Sequence, residues 1–320
     1  MRRWIAVACL LVVPACAVPH ERGDLALEKS AARKSEVTEI FQRYTEVRSA
    51  AADLLDAKPL STVEAGAVLA IDTGSFEVSQ RLAKSQEGSS DSFDIADVQT
   101  PRFATYPIWF YAVVRDETRD VNRVQIFERA SAVDPWFLVA TPEALAETEL
   151  PDLRSKGGAP ITVKPDDGVG MSMSAADAAA AYVKTLGDPK APEAATIEND
   201  SFIKQMREAA AANGDLPNVT YSQAWDADKV QYVLRTSDGG ALAFVTLLRS
   251  DIYEVEDGLT ITWPDDTPQQ AFLSSGIAGA GTLNYYHQVL LHIPGGTGKP
   301  RALGQYGGVV SADATGSAAR

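Results

Sequence analysis

The chain has 320 residues, 45% of them hydrophobic and 22% charged, a globular rather than disordered composition with room for about two domains. Asp and Glu number 43 against 29 Lys and Arg, a formal net charge of -14, so no nucleic-acid partner is expected, because neutralising phosphates needs clustered cations. The two cysteines, Cys9 and Cys16, lie in the first sixteen residues, which excludes a disulfide framework and any cysteine-rich metal or haem site downstream.

The amino terminus reads as an export signal. Arg2 and Arg3 form a basic start, residues 4–13 a short apolar run, and small residues follow. About ten apolar residues are too few to cross ~30 Å of hydrocarbon as a helix. Two processing routes fit. Val13-Pro14-Ala15-Cys16 matches a bacterial lipobox except at Pro14, which places a cut before Cys16 and diacylglycerol on its thiol. Ala15-Cys16-Ala17 fits a cut after Ala17 instead. The short apolar run and the position of Cys16 favour the lipobox. Residues 1–15 are then a signal peptide and 16–34 a lipidated tether. Loss of Arg2 and Arg3 takes the charge from -14 to -16. Acyl chains contribute ~0.8 kcal/mol per buried CH₂, so two of them make a stable anchor. The expected location is the extracytoplasmic side of the cell membrane; the second route gives a secreted protein. No later apolar run approaches the ~18 residues of a membrane span.

A first α+β domain is expected over 35–148. Val37, Ile40, Phe41, Tyr44, Val47, Ala51, Leu54 and Leu55 recur at three and four, the stripe of an amphipathic helix that Pro59 ends or breaks. Ser61 to Ala70 reads as a second helix, Gly74 as a break, and Phe76 to Lys84 as a third piece. Residues 85–92 read as a loop. Strands are expected at Phe93–Val98, at Ile108–Val114 as a central strand, at Val124–Ala130 by alternation, and at Trp136–Val139. Residues 141–173 carry Pro and Gly without periodicity, so 149–173 is assigned as a linker.

A second α+β domain is expected over 174–312, with a tail at 313–320. Ser174 with Asp177 opens an Ala-rich helix ending at Gly187, and Ser201–Ala212 forms another. Strands follow at Val219–Trp225, Gln231–Thr236, Ala241–Leu248, Leu259–Trp263, Thr282–Ile293 and Ala302–Tyr306, with a hairpin turn at Ser237-Asp238-Gly239-Gly240. Each half thus places helices before an antiparallel meander, an α+β arrangement. Cone-shaped folds of the nuclear transport factor 2 type share that order of elements.

Several pieces carry a family resemblance: Arg43-Tyr44 with Val47-Arg48, Val63-Glu64-Ala65-Gly66, Tyr106-Pro107-Ile108-Trp109-Phe110, Pro135-Trp136, and Leu234 through Leu242. In this order, behind a lipobox-like start, the chain resembles a family of uncharacterised actinobacterial lipoproteins built on a domain of unknown function. The resemblance implies extracytoplasmic anchoring and brings no catalytic residues with it.

Motifs with chemistry are few. Ser201-Phe202-Ile203-Lys204 matches the S-x-x-K of penicillin-recognising enzymes, but S-D-N and K-T-G are missing, and a helix-capping Ser with an exposed Lys accounts for the same residues. His287 and His292 lie five apart on one expected strand, so they face opposite sides and share no metal; His20 lies in the tether. Ser274 and Ser275 precede His287 without a G-x-S-x-G elbow. Gly295 to Pro300 resembles a phosphate loop but lacks its first glycine and its Ser/Thr. The acidic groups at 251–257, 265–266 and 166–167 read as solvated surface, and the aromatics Trp109, Trp136, Trp225, Trp263, Tyr285 and Tyr286 mostly as core. No cofactor and no metal are expected.

The reading is a lipid-anchored, non-enzymatic envelope protein. It would act as a binding or scaffold module, with the membrane as one partner and other envelope proteins or cell-wall components as the others. A second reading is a ligand-binding protein with an apolar pocket. A third is a serine hydrolase using Ser201 and Lys204.

Overall fold

The computed structural model describes residues 28–84 and 94–315. The leader, Cys16, His20 and the loop read at 85–92 lie outside those residues. A two-residue strand β1 (Lys29–Ser30) leads into helix α1 (Lys34–Leu54), which stops where Leu55 turns left-handed at φ 49°. Val37, Phe41, Tyr44 and Ala51 of the expected stripe are buried, the first three packing on Phe110, Phe127 and Trp136 of the sheet, whereas Leu54 at the helix end is 75% exposed. Phe41 meets Phe127 edge-on at 5.0 Å between ring centroids.

Helix α2 (Gly66–Arg81) corrects the sequence expectation of a break at Gly74. One helix runs through it, and the chain from Lys58 to Thr62 is a 3-10 turn. Gly74 is there for space. A Cβ on it would sit 2.1 Å from the carbonyl oxygen of Val309 on the strand beneath. Glycine marks a close approach of helix to sheet, as it also does in strands.

The first half continues with β2 (Asp94–Gln99), β3 (Arg102–Phe103), β4 (Ile108–Asp116), β5 (Val121–Arg129), β6 (Phe137–Ala140), β7 (Glu143–Leu145), β8 (Ser155–Lys156) and β9 (Ala159–Pro160). The second half adds α3 (Ala175–Gly187), α4 (Ser201–Gly214), β10 (Val219–Ala227), β11 (Tyr232–Arg235), β12 (Ala241–Val255), α5 (Pro268–Phe272), β13 (Ala280–Ile293) and β14 (Arg301–Thr315). Strand β12 extends past the expected Leu248, and β14 past Tyr306. Residues 259–263 form only an isolated bridge, Ile261 to Ile277, rather than a strand.

The architecture is α+β, with antiparallel pairing in the order β10-β12-β13-β14-β7-β5-β4-β2, while β11 joins β12 and β6 joins β5. Strand β5 is covered on both faces, which its alternating pattern did not suggest. Val124 and Ile126 enter one cluster with Trp109, Leu234, Leu242, Phe244, Leu290 and Leu303; Phe127 enters the other, beneath α1. The first of these clusters draws on both halves of the chain. Residues 152–163 pair with β11 and the residue after it, through the bridges Leu153 to Thr236 and Thr162 to Leu234, and strands β7 and β14 meet at one residue pair, Glu143 with Gln305. The buried Gln288 side chain reinforces it, accepting from the Thr141 N–H at 2.9 Å and donating to the Val139 carbonyl at 2.8 Å.

Helices α3 and α4 cover the other end of the sheet. Ser174 caps α3 as expected, accepting from the Asp177 N–H at 3.1 Å. Asp200, not Ser201, caps α4, accepting from the Ile203 N–H at 3.0 Å. Its other oxygen accepts from the Ala302 N–H at 2.8 Å, and the buried Tyr182 hydroxyl donates to both. No helix among the described residues is long and apolar enough to cross a membrane.

Candidate functional site

Helices α1 and α2 and the join between β7 and β14 enclose a cleft of about 630 Å³. Every residue lining it carries a polar side chain. Tyr44 and Arg48 come from α1, one turn apart on its inward stripe. Asp72, Ser75 and Ser79 come from successive turns of α2, and Lys84 follows that helix. The sheet supplies Arg119 from the turn after β4, Arg123 from β5, Thr141 and Glu143 from the join, and Tyr306 from β14.

The floor is a buried ion cluster. Arg48 Nη1 donates to Glu64 Oε1 at 2.8 Å and also to Asp72. The Tyr44 hydroxyl donates to Glu64 at 3.3 Å, and the Tyr306 hydroxyl donates to Asp72. Glu64 and Asp72 are almost fully buried, at 1% and 2% exposure. Burial, then the charge of Asp72, pushes the Glu64 carboxyl well above its ordinary range. Burial also acts to raise Asp72, but Arg48 and the Arg48 and Tyr306 hydrogen bonds outweigh it and hold Asp72 below the usual range. The two acids are therefore shifted in opposite directions.

The opposite wall is a second cluster. Arg119 grips both oxygens of Glu143, at 2.6 and 2.8 Å. Arg123 Nε lies 3.4 Å from Glu143 Oε1, while its Nη2 donates to Asp116 at 2.7 Å. Four cations line the cleft, namely Arg48, Lys84, Arg119 and Arg123, against two carboxylates, Asp72 and Glu143. In a chain of net charge -14, cationic groups are concentrated at this cleft. Side chains held this firmly are pre-organised to receive a polar ligand.

The residues singled out from sequence fall elsewhere. Cys16 lies outside the described residues. Ser201 and Lys204 are both exposed on the outside of α4, and neither lines the cleft. His287 is buried among Phe202, Trp225 and Tyr285. His292 faces the other way, 3.5 Å from Asp238. Ser274 and Ser275 are exposed. The Gly295 loop packs on the hairpin turn, where a Cβ at Gly295 would meet the Asp238 carbonyl at 2.3 Å. The expectation of solvated acids fails at Asp251, which is 3% exposed and lies 3.3 Å from Arg249 Nε.

No local motif marks the cleft residues as a site, although Tyr44, Arg48 and Glu64 belong to the pieces that carry the family resemblance. A signal was available. Arg48 interrupts the apolar stripe Val37, Phe41, Tyr44, Ala51, and Asp72 stands next to Ile71 on a helix bearing Val68 and Phe76. A charge on a buried stripe needs a partner, and two such helices adjoining in sequence point at each other.

The chain is 27% identical over 283 residues to an uncharacterised lipoprotein of Streptomyces avermitilis, covering 81% of this chain and 78% of the relative. It is 21% identical over 263 residues to an uncharacterised lipoprotein of Streptomyces coelicolor, covering 81% and 79%. No solved structure matches it. Residues 28–314 match the domain of unknown function DUF8094, and the chain belongs to that family.

Proposed function

We propose that this protein is held at the outer side of the cell membrane by acyl chains on Cys16 and binds a small polar ligand in the cleft between α1, α2 and the sheet. The observation that carries the binding role is the cleft itself, about 630 Å³ lined by polar side chains that buried ion pairs fix in place. The lipoprotein relatives support the anchor. The lining of this cleft is polar, so the ligand proposed for it is polar too. The exposed positions of Ser201 and Lys204 give a hydrolase reading no support. Envelope proteins or wall components within reach of the anchor are the sources of such a ligand.

Two measurements test this. Intact mass of the protein from its membrane fraction should show a chain beginning at Cys16 with added acyl mass, lost in Cys16→Ser; an unacylated chain beginning at Val18 would remove the anchor. Thermal unfolding against a panel of sugars, sugar phosphates, amino acids and dicarboxylates should raise the melting temperature for at least one, and the rise should vanish in Arg123→Gln. A flat panel would remove the binding role.

A further inference from the structure

We propose that the cleft takes a phosphate monoester carried on a hydroxylated ligand. This rests on the reading of the cleft as a binding site and names the class of ligand. The wall opposite α1 already holds an oxyanion. The Glu143 carboxylate lies in the fork of Arg119, bonded through both oxygens at 2.6 and 2.8 Å, with Arg123 Nε 3.4 Å from one of them. Planar guanidinium forks receive carboxylate or phosphate in this way. Asp116 sets both arginines, accepting from Arg123 Nη2 at 2.7 Å and from the Arg119 backbone N–H at 3.1 Å. The fork is thus built before any ligand arrives, and Glu143 is its internal occupant.

Positive charge remains beyond what Glu143 balances. Lys84 is exposed, its ammonium donates to the Asp266 carbonyl at 3.1 Å, and no carboxylate pairs with it among the described residues. Arg119 is 41% exposed at its side chain, so solvent reaches the fork from the cleft. Among the described residues of this wall, Lys84, Arg119 and Arg123 stand against Glu143 and Asp116, a surplus of one positive charge, rising to two once Glu143 gives up its place. A phosphate dianion matches that second value. Its three terminal oxygens also accept from donors on different sides, which here are the cations together with the Ser79 and Thr141 hydroxyls, whereas a planar carboxylate offers two oxygens. At the floor, Asp72 lines the cleft, accepts from the Tyr306 hydroxyl and Arg48, and is the kind of acceptor that takes a ligand hydroxyl. A phosphate at one end and hydroxyls at the other describe a phosphorylated polyol or sugar.

The test is calorimetric titration of the purified full chain with glycerol 3-phosphate, inorganic phosphate, glycerol and glucose. Glycerol 3-phosphate should bind, inorganic phosphate about tenfold or more weakly, and glycerol not measurably. Affinity should fall with added salt, since a Debye length of ~10 Å at 0.1 M shortens as salt rises. Arg119→Gln and Lys84→Gln should each weaken glycerol 3-phosphate about tenfold, and Glu143→Gln should tighten it by freeing the fork. Lys84 is exposed, so its variant reads binding without a folding defect. Glucose binding as tightly as glycerol 3-phosphate, or phosphate-ester binding indifferent to Lys84 and Arg119, would overturn the phosphate assignment and leave the binding role standing. Binding of none of these probes, with the wider solute panel also flat, would overturn both.

Discussion

A single nitrogen of Arg48, Nη1, bonds two buried carboxyl groups from separate segments, Glu64 ahead of α2 and Asp72 within it. The guanidinium ties α1 to α2 at the floor of the cleft. Breaking a buried pair by removing one partner leaves an uncompensated charge, at a cost of about 3–5 kcal/mol. Arg48→Met should therefore lose stability of that order in urea unfolding. Replacing Asp72 by Asn in the same chain should restore a large part of it, because the stranded charge is then gone. A loss under about 1 kcal/mol in the single variant would show that removing Arg48 strands no buried charge.

The two carboxyls should give opposite pH dependences. Glu64 has a folded pKa raised above its ordinary 4.5, by burial first and then by Asp72. Its contribution is full below that unfolded value and declines as pH rises towards the folded one, because only the unfolded chain releases the proton. Asp72 is held below its ordinary 3.8 against the effect of burial, chiefly by Arg48. Its contribution is present above that value and disappears as pH falls through the folded one. Glu64→Gln should thus gain on the parent protein as pH rises from about 4.5. Asp72→Asn should lose most at neutral pH and converge on the parent in acid. Urea midpoints from acidic to alkaline pH check both, and parallel curves for parent and Glu64→Gln would contradict the upward shift of Glu64.

His287 gives a third, separate dependence. Burial, and then the neighbouring Arg249 charge, pushes its imidazole down to about 3 from the ordinary 6.5. Phe202, Trp225 and Tyr285 surround it, and a Cβ on Gly307 would meet its Nδ1 at 2.5 Å. The folded protein keeps the ring neutral while the unfolded chain protonates it. Stability present above 6.5 should fall as pH drops towards 3, a slope that ends at the folded value. His287→Gln should flatten the curve over that interval. An unchanged slope would assign acid sensitivity to the carboxyl clusters instead.

The strands and helices that carry regular periodicity were legible, and the join was not. Val37, Phe41 and Tyr44 announced α1, the run from Ile108 announced β4, and Ser174 announced the start of α3. Strand β7 is three residues long, too short for any period to register, yet it links β5 to β14 and supplies Glu143 to the cleft. Arg119, Arg123 and Tyr306 are ordinary residues in local sequence; they become a site because β4, β5 and β14 are brought together over more than 180 residues of chain. The acid–base pairing of Arg249 with Asp251 shows the same limit. Alternation places both on one face of β12, but nothing local says that face is covered.

Gly74 offers the sharpest test of the close approach between α2 and β14. By helix propensity alone, alanine in a helix interior is better than glycine by about 1 kcal/mol. The geometry demands the reverse, since the added Cβ would lie 2.1 Å from the Val309 carbonyl oxygen and 3.2 Å from its carbon. Both atoms are backbone, so relief requires the helix or the strand to shift, and overpacking of this kind costs typically about 1–3 kcal/mol. Gly74→Ala should therefore destabilise. Gly187 is the control, at the last position of α3 with no neighbouring atom within 4 Å of a built Cβ. Gly187→Ala should leave stability unchanged or raise it by up to about 1 kcal/mol. Because α2 also presents Asp72 and Ser79 to the cleft, Gly74→Ala should weaken ligand binding as well, whereas Gly187→Ala should leave it alone. Equal effects of the two variants on stability would place α2 farther from β14 than the structure does.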